Sequence, residues 1–142
     1  MNTKLLAVLA IALAGCASVA TGQTYGEEEM LISAAAVTKI SAAAEASLIY
    51  GEPSETLSDA EFLTQSVAHD PGLLAPLSAY QVKAMRQSGH TAILMCSQDG
   101  AIALLEDAGC TAAMDRHHWR DDPKSPCVFT MDLAQVCPAA PN

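Results

Sequence analysis

The chain has 142 residues and a formal net charge of −9, with 16 acidic side chains against 7 basic ones. That imbalance excludes attraction to nucleic acid or to an anionic lipid surface through the net field, and the length suits one domain with room for a core. Only 4% of the residues are aromatic, so the core must be built from small and aliphatic side chains packed closely.

The first element is apolar. After Lys4, the run Leu5 to Ala14 carries no polar side chain over ten residues, a signal-peptide length and too short to cross ~30 Å of hydrocarbon as a helix. Leu13-Ala14-Gly15-Cys16 closes it. These residues resemble the lipobox of bacterial lipoprotein signal peptides. The resemblance implies cleavage before Cys16, diacylation of its sulfur and acylation of the new amino terminus. The competing reading is an ordinary secretory signal with Cys16 incidental. Ala17 stands where, in lipoproteins kept at the inner membrane, an Asp tends to stand, which by the same resemblance favours the periplasmic face of the outer membrane. Several acyl chains anchor stably, at about 0.8 kcal/mol per buried CH₂. The expected organisation is a signal peptide over 1–15, an acylated tether over 16–23, a single α+β domain over 24–137 and a tail over 138–142.

Thr24-Tyr25-Gly26-Glu27 reads as a capping box opening a helix from about Tyr25 to Tyr50, ended by Gly51 and Pro53. Glu27, Glu28 and Glu29 suit the positive end of its dipole. Met30, Ala34, Val37, Ser41, Ala44 and Leu48 recur at helical spacing. This seam either packs inside the domain or offers small residues to a partner helix; Met30, Ala34, Val37, Ala44 and Leu48 are the candidate docking residues. Ser58-Asp59-Ala60-Glu61 is a second capping box, with Leu57 and Phe62 placed as a hydrophobic staple, for a helix to about His69. Ser66, His69 and Asp70 crowd together there, but triad members come from separate elements, so they read as solvated surface. Gly72 to Ser78 reads as a loop or single turn.

From Ala79 the period becomes two, which predicts a half-buried strand through Tyr80, Val82 and Ala84. Arg86 to Gly89 is turn chemistry. His90 to Ser97 reads as a central strand with His90 at its end, and Asp99-Gly100 as a two-residue hairpin turn into a partner strand over Ala101 to Leu105, preferred to a short helix from Ala101 to Ala108 ended by Gly109. Cys127 to Met131 reads as a last strand, and Asp132 to Val136 as one helical turn. The fold class expected is α+β, with N-terminal helices followed by a small antiparallel sheet stapled by two disulfides.

Cys96, Cys110, Cys127 and Cys137 are an even set in an exported chain, which makes disulfides the default. Closing the shortest loops predicts Cys96–Cys110 and Cys127–Cys137. The weak point is the sheet: a strand beginning at Cys127 beside the one holding Cys96 would allow a crossed Cys96–Cys127 bridge. A metal site using His117, His118 and some of these cysteines fits no zinc spacing, so no metal and no cofactor is expected. Phosphate loops, His-Glu-x-x-His, Cys-x-x-Cys and Gly-x-Ser-x-Gly are all missing from the sequence. Trp119, among Arg116, His117, His118 and Arg120, is either an exposed contact residue or a buried one closing the sheet edge.

The function expected is non-catalytic. It is that of a lipid-anchored envelope module binding another envelope protein or a secretion or conjugation complex, a plan similar in size, anchor and disulfides to the secretin pilotins. The alternative is an inhibitor or exclusion lipoprotein blocking an incoming protein; a small metal-binding protein or enzyme stands third.

Overall fold

The computed structural model describes residues 26–111, 114–115, 117–120 and 122–139. The lipobox, Cys16, Thr24 and Arg116 lie outside the described residues, as do the side chains of His117 and His118. The protein is α+β: helices, then an antiparallel sheet, with two disulfides. Helix α1 (Glu27–Tyr50) and helix α2 (Asp59–Ser66) are followed by a 3-10 helix (Pro71–Leu77). Strands β1 (Gln81–Gln87), β2 (His90–Cys96), β3 (Ala103–Ala108) and the two-residue β4 (Met114–Asp115) then pair in that spatial order. Short helices α3 (His117–Arg120) and α4 (Leu133–Val136) complete the described elements.

The sheet separates two apolar layers. Ile93 and Met95 of β2 meet Met30, Val37, Ile40 and Phe62 from the helices. Strand residues alternate sides, so Ala92, Leu94 and Cys96 turn to the other face. There the C-terminal segment covers them with Cys127, Phe129 and Leu133. β2 and β3 are buried along their whole lengths, as strands sandwiched on both faces must be.

The α1 seam is internal. Met30, Ala34, Val37 and Ala44 are buried in this domain's own core and Leu48 packs against it. The docking role considered for the four buried residues is therefore corrected: small side chains let α1 approach the sheet closely, and the domain's own core fills that face. Trp119 is buried in the same core, as the second of its two readings had it. Though α1 is long and apolar enough to cross a membrane by length and composition, this face is committed to the domain.

Other boundaries also move. The N-cap of α1 is Gly26, with no side-chain cap, and Glu27 instead takes a 2.8 Å ion pair from Arg120. The Ser58–Glu61 capping box forms: Glu61 N–H donates to Ser58 Oγ at 3.3 Å and Ser58 N–H to Glu61 Oε2 at 2.8 Å. Hydrogen bonds from Ser58 hold the Glu61 carboxyl below its usual pKa. α2 stops at Ser66, whose hydroxyl folds back onto the Phe62 carbonyl at 2.8 Å; Ser66 is buried, not solvated. Arg86 ties α2 to β1, pairing Asp59 at 2.8 Å, donating to the Leu57 carbonyl and lying over the Phe62 ring.

Ser88 and Gly89, both at positive φ, make the tight β1–β2 turn. Between β2 and β3 the expected two-residue turn is a wider loop closed by Ser97 N–H to the Ile102 carbonyl at 3.0 Å. Its Asp99 carboxylate accepts from Ser97 Oγ at 2.5 Å and Ala101 N–H at 3.0 Å, bonds that lower its pKa. Cys96 pairs with Ala103, with a bulge beside it.

Cys127 to Met131 is not a strand. Among the described residues, an isolated bridge from Ile102 to Pro126 and a 3.1 Å hydrogen bond from Cys127 N–H to the Ala101 carbonyl join its start to the sheet, and no ladder follows. Past Val128, where no ladder continues, a side chain takes the backbone N–H groups of Thr130 and Met131. The fully buried Glu106 carboxylate accepts from Thr130 N–H at 3.0 Å, Thr130 Oγ1 at 2.7 Å and Met131 N–H at 2.9 Å.

The disulfides are Cys96–Cys127 and Cys110–Cys137, each with Cα atoms 5.7 Å apart. The local pairing is thus overturned, for a geometric reason. Cys96 lies beside Ala103, and from there to Cys110 the chain is mostly extended β3. Seven residues at a strand's rise cover about 20 Å, far beyond the ~7 Å a disulfide permits. The C-terminal segment runs from one end of the hairpin to the other, and each bridge pins it to the sheet at one end.

Candidate functional site: a buried Glu45–His90 pair beside the Cys110–Cys137 bridge

Where β2 begins, three layers meet. α1 supplies Ser41 and Glu45 one turn apart, β2 supplies His90 and Thr91, and the C-terminal segment supplies Cys137 and Pro138. Gly109 follows β3, and it must be glycine: a Cβ there would lie 2.7 Å from Glu45 Cβ and 2.8 Å from both the Ser41 carbonyl oxygen and Thr91 Oγ1. That close approach lets α1 lower a carboxylate onto the sheet.

Glu45 is 7% exposed and His90 4%. Glu45 Oε1 lies 2.5 Å from His90 Nδ1, while Oε2 accepts from Thr91 N–H at 2.8 Å and Thr91 Oγ1 at 2.9 Å. His90 Nε2 lies 2.7 Å from the Pro138 carbonyl oxygen. A carbonyl only accepts, so Nε2 carries a proton; a carboxylate at Nδ1 favours a second proton there, the imidazolium form that donates at both nitrogens. The hydrogen bond to Glu45 is the chief cause that raises the His90 pKa, burial opposes it, and the Pro138 carbonyl adds to the rise.

Nearby, Ser41 Oγ donates to the Asp107 main-chain oxygen at 3.3 Å, and burial pushes the Asp107 carboxyl pKa up against a hydrogen bond from Ser41. A ring nitrogen of His90 and the sulfurs of Cys110 and Cys137 lie within 4.8 Å of one another. The sulfurs are joined in a disulfide, so in this state they offer no thiolate to a metal.

Chemically, this arrangement holds rather than turns over. Both ring nitrogens and both carboxylate oxygens are engaged, and the larger open grooves lie elsewhere. One of ≈ 690 Å³ runs along α2 past Pro53, Leu57 and Ala60, and one of ≈ 450 Å³ lies between Ile32 and Tyr80. No known protein family, curated protein or solved structure matches the chain.

Of the residues singled out from sequence, the structure brings Cys110 and Cys137 to this site and Cys96 and Cys127 to the opposite end of the hairpin. His90 was read only as a strand end. Glu45, Thr91 and the Glu106–Asp107 pair were missed, although an acidic residue beside the apolar seam and two more completing an apolar strand are both legible signals.

Proposed function

We propose that this is a lipid-anchored protein of the cell envelope, held at the periplasmic face of the outer membrane, that binds or positions another envelope protein without catalysing a reaction. The observation that carries the reading is the lipobox, Leu13-Ala14-Gly15-Cys16, closing an apolar run after a single lysine. Two disulfides suit an oxidising compartment, and the buried ionisable groups of the described domain are engaged in joining its own layers. The tether from Cys16 to Gly26 spans at most about 35 Å when extended, which keeps the domain close to the bilayer. The partner surface is not the α1 seam, which is filled.

Two measurements test this. Cys16→Ser should abolish acylation and move the protein from the membrane to the soluble fraction or leave it unprocessed; an unmodified wild-type amino-terminal peptide would refute the anchor. Cross-linking in intact cells should then capture a resident envelope protein, whereas capture only of an incoming foreign protein would replace assembly with exclusion.

A further inference from the structure

The two disulfides sit in different surroundings. Cys96 is fully buried and Cys127 nearly so, whereas Cys110 and Cys137 are both partly exposed, and Cys137 is flanked by exposed Val136 and Pro138. Among the described residues, a ring nitrogen of His90 lies within 4.8 Å of the sulfurs of the second bridge, while at the first Lys83 Nζ donates to the Cys127 carbonyl oxygen at 3.3 Å. Exchange at a disulfide requires access for the attacking thiolate and speeds up when the departing sulfur is stabilised as an anion, as a neighbouring cation does. We propose that Cys110–Cys137 is a thiol–disulfide exchange site that takes a thiolate from a dithiol partner at Cys137, that Cys96–Cys127 stays closed, and that His90 is the positioning residue holding positive charge beside the departing sulfur. This does not depend on the lipid anchor.

The step balances. The partner's thiolate attacks Cys137 Sγ; the new S–S bond forms as the Cys110–Cys137 bond breaks, and its electron pair leaves on Cys110 Sγ beside His90. The partner's second thiol, as thiolate, then displaces Cys137. The partner ends as a disulfide, two electrons and the two protons its thiols gave up pass to the protein, and Cys110 and Cys137 become thiols. The charged group on the ring is Glu45 from α1, bound at Nδ1; the C-terminal segment brings the Pro138 carbonyl, and Asp107 from β3 is the other titratable group buried between α1 and the sheet. Opening the bridge leaves the end of the C-terminal segment held by the His90–Pro138 bond and by Leu133, whose N–H donates to Gln87 Oε1 at 2.9 Å.

The test uses the oxidised full chain and dithiothreitol under native conditions, with acid quenching, alkylation and peptide mass mapping. Cys110 and Cys137 should be labelled about tenfold faster than Cys96 and Cys127. Glutathione alone should give a mixed disulfide on Cys137. His90→Gln should slow the opening severalfold, and the ratio of wild-type to variant rates should fall toward one as the pH rises and the imidazolium is lost; the reductant's own ionisation cancels in that ratio. Simultaneous opening of both bridges, earlier opening of Cys96–Cys127, or the glutathione adduct on Cys110 would overturn the proposal. So would faster opening in His90→Gln, which would mean the ring only clamps Pro138. The adduct position and the order of opening are read on the wild-type chain, so they decide the matter even if the variant misfolds.

Discussion

Replacing Glu45 separates the energetics of the buried pair from its packing. Glu45→Ala removes the carboxylate in contact with His90 and takes from the Thr91 N–H and hydroxyl the acceptor they have in Glu45 Oε2. Breaking a buried ion pair by deleting one partner costs about 3–5 kcal/mol, and the orphaned Thr91 N–H lies within the same opening. Against a total stability of about 5–15 kcal/mol, the loss is a large share. Glu45→Gln should be milder, at about 1–2 kcal/mol. Its amide can donate to an unprotonated Nδ1 while its oxygen still accepts from Thr91, so His90 stays neutral and keeps its Nε2–H on Pro138. The two variants therefore differ in pH response as well as in size. The folded-state pKa of His90 is raised, so the pair's contribution is complete below the ordinary imidazole value of about 6.5 and is lost as the pH rises through the higher folded value. Urea unfolding from pH 6 to 9 reads this directly: wild-type stability should decline across that window and Glu45→Gln should lack that decline. A cost below about 1 kcal/mol for Glu45→Ala, or equal slopes in wild type and Glu45→Gln, would refute the assignment of an ion pair.

Two further substitutions probe the same joint. Gly109→Ala should destabilise by about 1–3 kcal/mol, because its methyl group would meet Glu45 Cβ, the Ser41 carbonyl and Thr91 Oγ1 within 2.8 Å; unchanged unfolding in urea would show that α1 is free to back away. Glu106→Gln should cost about 1.5–3 kcal/mol by setting an amide NH₂ against N–H donors, and hydrogen exchange at Thr130 and Met131 should accelerate while β2 stays protected. Uniform acceleration across the sheet would place Glu106 in the global core rather than at the anchor of the C-terminal segment.

Local pattern revealed much of the architecture. The α1 periodicity and the Ser58 box follow from contacts close in sequence and stand where expected, and the three strands come in the expected order, though β1 runs on through Arg86 and Gln87 and β3 spans Ala103–Ala108 in place of Ala101 to Leu105. The failures share a cause. Cys127 to Met131 has the β-branched and aromatic content of a strand, but no ladder forms along it among the described residues; the Thr130 and Met131 N–H groups meet Glu106, more than twenty residues away. The disulfide pairing failed likewise, because loop entropy rewards near neighbours while an extended β3 holds those neighbours apart. Spacing could not reveal the Glu45–His90 pair, since its members are 45 residues apart, though the charge beside an alanine-lined seam was visible. The seam illustrates the opposite error. Small residues suggested an interface because each buries little area, yet their smallness is what seats α1 directly on the sheet.

The acidic residues divide by position into those that solubilise and those that build. Glu28, Glu52 and Asp70 are exposed, whereas Glu45 and Glu106 are buried and each collects donors from a layer other than its own. A carboxylate can accept several N–H and O–H bonds at once, so it can replace a strand ladder at a point where the chain cannot extend. Glu45 does this between helix and sheet, and Glu106 between sheet and C-terminal segment. The disulfides add covalent closure at both ends of that segment, so its middle depends on Glu106 and its end on His90 and Cys137. Opening Cys110–Cys137 would leave the Glu106 anchor and the Cys96–Cys127 bridge in place. The terminal stretch would then rest on the His90–Pro138 bond and on Leu133, and the sheet would not collapse.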